Sequence, residues 1–152
     1  MPTTSISKIA GTVAEECIAV RMRMLNRVVT KIYDDALRPL GIRISQMNIL
    51  VAAGKMGTVV PAEICRELHL DGSTLSRNVD RMKSKGWLEI VPVADGRVQP
   101  FRLTREGARL LRAALSPWRR AQKRSRALLG DEVVELLEQA MARMRTGVRG
   151  QG

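Results

Sequence analysis

The sequence predicts a mainly α-helical chain with one small β-hairpin, and three observations carry that expectation. Aromatic residues make up only 3% of the 152 positions, against eight Met and long runs of Ala, Leu, Val, Arg and Glu, which favours helices over a β-sandwich. Apolar residues recur at three- and four-residue intervals over most of the chain. The period changes to alternation once, between Trp87 and Thr104. With 45% hydrophobic and 27% charged residues the chain is ordinary for a folded protein, and residues 1–152 are expected to form a single domain with a real core.

From Ile6 to Leu40 the apolar positions Ile6, Ile9, Val13, Val20, Met24, Val28 and Ile32 predict one long helix, starting between Ser5 and Glu15 and ended by Pro39 and Gly41. It is longer than a core of this size needs, so its first half is expected to pack on a partner subunit. Ser45 is the expected cap of a short second helix, Gln46 to Ala53, with Met47, Leu50 and Val51 inward and Gly54 and Gly57 bounding a turn. Thr58 to Val60 reads as a β-like stretch, and Pro61 begins a third helix to Leu68 with Ile64, Cys65 and Leu68 on one face.

The next helix organises the rest. In Asp71 to Gly86, Leu75, Val79 and Met82 fall in one arc, while Ser73, Arg77, Asp80, Arg81 and Ser84 gather opposite. Asp71 is placed as N-cap and Gly86 where a helix end needs positive φ. Thr74, Asn78, Arg81 and Lys85 line one flank. Alone, this also reads as a solvated charged surface helix. Its neighbours decide, because two short helices with a tight joint, the second basic, form a helix-turn-helix.

Trp87 to Val91 and Val98 to Thr104 then read as two strands joined by Pro92 to Arg97 with its Asp95-Gly96 turn, and Pro100 suggests an edge strand or a bulge. A hairpin in this place is a wing. Its tip carries Arg97, suited to a minor groove, with Asp95 placed to pair with it and aim it. Thr104 caps a helix to Leu115, and Ser116-Pro117 is expected to interrupt and restart it. Trp118, Ala121, Ser125 and Leu129 then face inward, with Arg119, Arg120, Lys123, Arg124 and Arg126 outside. Gly130-Asp131 ends that helix and caps the last one. There Val134, Leu137, Met141 and Met144 keep the spacing of a helix-packing seam, and the tail is expected to fray from Gly147.

Charge points to the partner. The net charge of +11 calls for an anion, nucleic acid first and a membrane surface second. Residues 71–126 hold fourteen Lys or Arg against five Asp or Glu, so the excess is centred on the basic helix. No run is long enough to span a membrane and the N-terminus lacks a signal-peptide pattern, so the expected location is the cytoplasm, without a membrane partner. Cys17, Cys65 and the single histidine His69 are too few for a disulfide framework, a metal site or a catalytic triad; neither a cofactor nor an enzyme activity is expected.

Double-stranded DNA fits this helix in detail. Ser73 and Thr74 make a slim tip, Arg77 and Asn78 are bidentate readers of purine edges, and Arg81, Lys83 and Lys85 are assigned to phosphates. A non-specific architectural or RNA-binding protein is the competing class, but it needs neither a wing nor a small-residue tip.

This order of elements resembles the MarR family of winged-helix regulators from about Cys17 to Met144. The most specific parts are LHLDGSTLSRNVDRMKSKGWLEIV, the wing turn Asp95-Gly96-Arg97, and LTREGARLL from Leu103 to Leu111; YDDALRPLGIRISQMNIL and SPWRRAQKRSRALLG are also similar. The resemblance implies a homodimer on a pseudo-palindromic operator, with residues 41–104 as the winged helix and 5–40 and 105–147 as dimerisation helices. It implies that Ser73, Thr74, Arg77 and Asn78 face bases and that Arg97 reaches the minor groove. It further implies transcriptional repression, often of stress responses, relieved by a small molecule or by thiol oxidation. For oxidation the candidate is Cys17 with Tyr33 as support, although the family's reactive position falls at Ala19, two residues or about 200° away. For a small amphipathic or aromatic ligand the candidate lining is Met24, Arg27, Met47 and Leu50.

Overall fold

The computed structural model describes residues 5–148 and shows seven helices and a small three-stranded sheet in that span. Helices α1 (Ile6–Glu16) and α2 (Ile18–Leu37) are followed by a 3-10 turn at Arg38–Leu40 and by α3 (Ile44–Met56). Strand β1 (Thr58–Val59) leads to α4 (Pro61–Leu68) and α5 (Gly72–Ser84), then β2 (Leu88–Ile90), β3 (Phe101–Leu103), α6 (Arg105–Leu129) and α7 (Asp131–Val148). The class is the one expected, mainly α with a hairpin.

The core lies between the inner face of α2, α3, the helix pair α4–α5 and the start of α6. Leu37, Ile49, Leu50, Ile64, Leu75, Met82 and Phe101 are its largest fully buried side chains. Its boundaries correct several expectations. The first helix is two helices: the chain breaks at Cys17 (φ −68°, ψ 106°), and the Arg21 guanidinium donates to the Glu15 carbonyl that the break leaves free. Neither Gly nor Pro stands there, so residue types gave no sign of it.

Helix α3 starts earlier and ends later than Gln46 to Ala53. Its N-cap is Arg43, not Ser45: the Gln46 side chain accepts from the Arg43 backbone at 3.1 Å, and the Asp34 carboxylate, from α2, accepts from Ile44 N at 2.8 Å. A cap supplied from ten residues away is a tertiary contact. Gly54 is inside α3 rather than in a turn, pressed against the side chains of Leu111 and Leu103.

The two wing strands are shorter than expected and are joined by β1, in the order β1-β3-β2, all antiparallel. β3 is therefore central, not an edge. Pro100 is tolerated because it sits just before that strand, buried, offering only its carbonyl to Val91 N at 2.8 Å. Helix α6 runs unbroken through Ser116-Pro117. Pro117 is buried on its inner face, where packing outweighs the missing N–H. Asp131 does not cap α7: the Gly130 carbonyl accepts from Val134 N, while Asp131 pairs with Arg126 at 2.6 Å. Helix α7 continues through Gly147 to Val148, and the rest of the tail lies outside the described residues.

Candidate nucleic-acid interface

The joint between α4 and α5 is a single left-handed residue, His69 (φ 51°, ψ 44°), after which Leu70 N bonds back to the Cys65 carbonyl at 2.9 Å. His69 is the one non-glycine residue with positive φ among the described residues. The turn is short enough to set α5 directly across the end of α4.

Helix α5 begins on Asp71. One carboxylate oxygen accepts from Thr74 N (2.7 Å) and Ser73 Oγ (2.6 Å), and the other from Thr74 Oγ1 (2.7 Å). These three donors, the Ser73 hydroxyl first, hold the Asp71 carboxyl well below the usual carboxylate range. They also fix both tip hydroxyls as donors inward, so each presents lone pairs outward. Arg77 approaches Thr74 Oγ1 at 3.5 Å, and Asn78 Nδ2 donates to the Thr74 carbonyl at 3.2 Å.

Leu75, Val79 and Met82 are buried, as the periodicity predicts, and Gly86 has φ 74° at the helix end. Around the axis, Ser73, Thr74, Arg77, Asn78, Arg81 and Lys85 share one outward face. Lys83 does not join them; it lies on the other flank with Nζ 3.9 Å from Asp80. Sequence reasoning missed the groove beside this face. Gly41, Arg43, Ser45 and Gln46, at the start of α3, line it together with Thr74, Arg77, Asn78 and Arg81. Arg43 preceding a helix start was the available signal.

The wing supplies a separate cation. Arg97 is 92% exposed, and Asp95 accepts from its backbone N at 3.0 Å and its Nε at 3.2 Å, so the expected pair is formed. Arg102 and Glu89, opposite each other in the β2–β3 register, pair at 2.6 Å at the root of the wing.

The four candidate ligand residues are not brought together. Met47 lines an apolar groove of about 610 Å³ between α3 and α6, with Val51, Leu111, Leu115 and Trp118, and Arg112 at its rim. Arg27 lines a different, polar groove, Leu50 is fully buried, and Met24 is 63% exposed. Cys17 stands half-buried at the α1–α2 break, and Tyr33, more than four helical turns on, donates instead to Gln122 of α6.

A helix-turn-helix closed by a three-stranded sheet and slung between long helices defines a winged-helix protein. Residues 40–97 match the model of the MarR family. The multiple antibiotic resistance protein MarR of Salmonella typhimurium is 33% identical over 86 residues, which are 56% of this chain and 60% of that protein. The match therefore covers less than two thirds of the curated relative. Among solved structures, the transcriptional regulator MOSR of M. tuberculosis in complex with DNA superposes with a TM-score of 0.76 at 26% identity, covering 89% of this chain and 98% of that one. A mutant MarR of E. coli complexed with operator DNA has the same fold, with a TM-score of 0.76 at 24% identity over 87% of this chain and 96% of that one. The chain is thus similar to the MarR family across its winged helix, residues 40–97, and shares the fold of these solved regulators over most of its length.

Proposed function

We propose that this protein is a sequence-specific double-stranded-DNA-binding transcription regulator that acts as a homodimer on a pseudo-palindromic operator. The observation that carries the reading is the outward face of α5, where two anchored hydroxyls, Arg77 and Asn78 stand together, with Arg97 on the wing. Ser73, Thr74, Arg77 and Asn78 face bases, Arg81, Lys83 and Lys85 meet phosphates, and Arg97 enters the minor groove. Residues 41–104 form the reading part. Residues 5–40 and 105–147 form the dimer: every residue of α1 except Gly11 is exposed, and Ile6, Ile9 and Val13 there, with Met141 and Met144 of α7, leave apolar stripes for a second copy to bury. The solved relatives bound to DNA support the same reading.

The regulator acts as a repressor released by a small amphipathic or aromatic ligand. The apolar groove between α3 and α6 supports this, because an occupant there would wedge the reading part against the dimer helix, with Arg112 as counter-ion for a carboxylate. The test is a duplex titration with and without an aromatic carboxylate such as salicylate. Release of bound DNA, abolished in Leu111→Trp, is expected. Unchanged affinity across a series of such acids contradicts the repressor-release part.

A further inference from the structure

Asp71 constrains the tip of α5 in a way that bears on which bases the helix reads. Ser73 Oγ lies 2.6 Å from one oxygen of the Asp71 carboxylate and Thr74 Oγ1 lies 2.7 Å from the other, while Thr74 N donates to the first at 2.7 Å. A carboxylate can only accept, so each hydroxyl spends its single proton on it. The carboxyl stays ionised at neutral pH, because these donors, the Ser73 hydroxyl first, hold it well below the usual carboxylate range. Both hydroxyls are left with lone pairs only, and Arg77 approaches one of those on Thr74 at 3.5 Å.

A hydroxyl without a free proton is restricted in what it can touch. Phosphate oxygens are acceptors, so neither hydroxyl can anchor to the DNA backbone by donating to it. In the major groove N7, O6 and O4 accept as well, and only adenine N6 and cytosine N4 offer hydrogens. Every base pair carries one such amino group, on its A or its C. An acceptor held against one strand therefore suits A or C there and excludes G or T. The tip is reachable: Ser73 is exposed, Thr74 lines the α3–α5 groove, and both lie in residues 41–104, outside the helices assigned to the dimer.

We propose that Asp71 sets the base preference of the reading helix by making Ser73 and Thr74 obligate acceptors, so that each half-site must turn an exocyclic amino group, adenine N6 or cytosine N4, toward each hydroxyl. This rests on the reading of α5 as a base-contacting helix and names the chemistry that it selects. Asp71 is a positioning residue here, acting through the two hydroxyl protons. Arg77, which has donors only, selects the opposite chemistry, an O6 or N7 edge.

The test is selection of sites by the full chain from a randomised duplex library, then titration of the selected site with each of the four base pairs at each position. Ser73→Ala and Thr74→Val identify the positions that each hydroxyl reads, as those where the wild-type preference collapses. At those positions A and C on one strand are expected to bind alike, and G and T there about fivefold or more weaker per half-site. N6-methyladenine or N4-methylcytosine at the same place, which turns a methyl group into the groove in place of the free hydrogen, is expected to cost as much, and this probe needs no variant. Asp71→Asn keeps a good N-cap, and its amide oxygen can still serve Thr74 N and Ser73 Oγ. Its NH2 then faces Thr74 Oγ1 and releases that proton outward, so the preference at the Thr74 position should invert to G or T while the Ser73 position keeps A or C. A role in capping alone would weaken binding without inverting anything. The proposal is overturned if the positions lost in Ser73→Ala and Thr74→Val group A with G or with T rather than with C, if amino methylation there leaves affinity unchanged, or if folded Asp71→Asn keeps the wild-type preference at both positions. Selection that enriches no sequence at all would instead remove base reading by α5, and this inference with it.

Discussion

Gly107→Ala sets two physical effects of opposite sign against each other. Gly107 lies in the first turn of α6, and helix propensity alone favours Ala by about 0.5–1 kcal/mol. A Cβ there, however, would sit 2.0 Å from the Trp87 carbonyl oxygen, 2.9 Å from its carbon and 3.2 Å from Leu103 Cδ2. The first contact is a full ångström inside any approach that real Cβ atoms make, and its partner is backbone, which cannot swing aside. The start of α6 must therefore retreat. That retreat pulls on Thr104, whose N–H bonds the Trp87 carbonyl at 3.1 Å and whose hydroxyl bonds the Gly86 carbonyl at 2.5 Å. Overpacking costs about 1–3 kcal/mol and each weakened hydrogen bond about 0.5–1.5 kcal/mol. After subtracting the propensity gain, a net loss of about 2 kcal/mol remains, or about 4–8 °C in melting temperature for a chain of this size. Urea and thermal unfolding followed by circular dichroism measure it. Gly54→Ala is the control: its Cβ meets only the side-chain ends of Leu111 at 3.3 Å and Leu103 at 3.5 Å, so it should be neutral or slightly stabilising. A Gly107→Ala protein as stable as wild type would refute the claim that wing root and α6 meet at this distance.

Other consequences are as direct. His69→Gly relieves a left-handed backbone that costs an L-residue about 1–2 kcal/mol, so it should raise the urea midpoint, whereas His69→Val should lower it; equal midpoints would contradict the strained joint. Because Asp71 is held below the ordinary carboxylate range in the folded state, its stabilising contribution is complete at pH 7 and is lost as pH falls below about 4 and on through its lowered value. The gap in urea midpoint between wild type and Asp71→Ala should accordingly close in acid, and a gap of the same size at pH 2 would count against the cap. Arg77→Ala should weaken binding to the preferred operator about tenfold or more while barely affecting a random duplex, whereas Lys83→Ala should weaken both alike and lower the salt slope by about 1. Deleting residues 1–16 removes a helix that contributes nothing to the core, so the remainder should keep its melting transition but sediment as a monomer; a dimer would remove α1 from the interface.

What was legible in the sequence was local. The Asp71 cap, the inward Leu75–Val79–Met82 arc, Pro61 opening α4 and the Asp95–Arg97 pair all follow from spacing within a few residues, and the structure has each of them. The misses are places where distant packing overrules a local rule. Pro117 reads as a helix break but is buried in a continuous helix, and Gly54 reads as a turn but lets α3 approach Leu111. Asp34 caps a helix ten residues away, and β1 joins the wing sheet from forty residues upstream; neither pairing has a local signature. For the interface, spacing found the face of α5 but not the groove it shares with Arg43 and Gln46, because that juxtaposition exists only once α3 and α5 are packed.

The measurement that bears most directly on function is a titration of the purified protein against the DNA upstream of its own coding region and against a random duplex, at several salt concentrations. Sequence-specific regulation predicts a preference of about 10³-fold or more for one site in the upstream DNA, saturating at two chains per site, with a weaker salt dependence of the preference than of either affinity. Equal affinities that fall away together as salt rises would contradict base reading by α5 and leave a protein that holds DNA by charge alone.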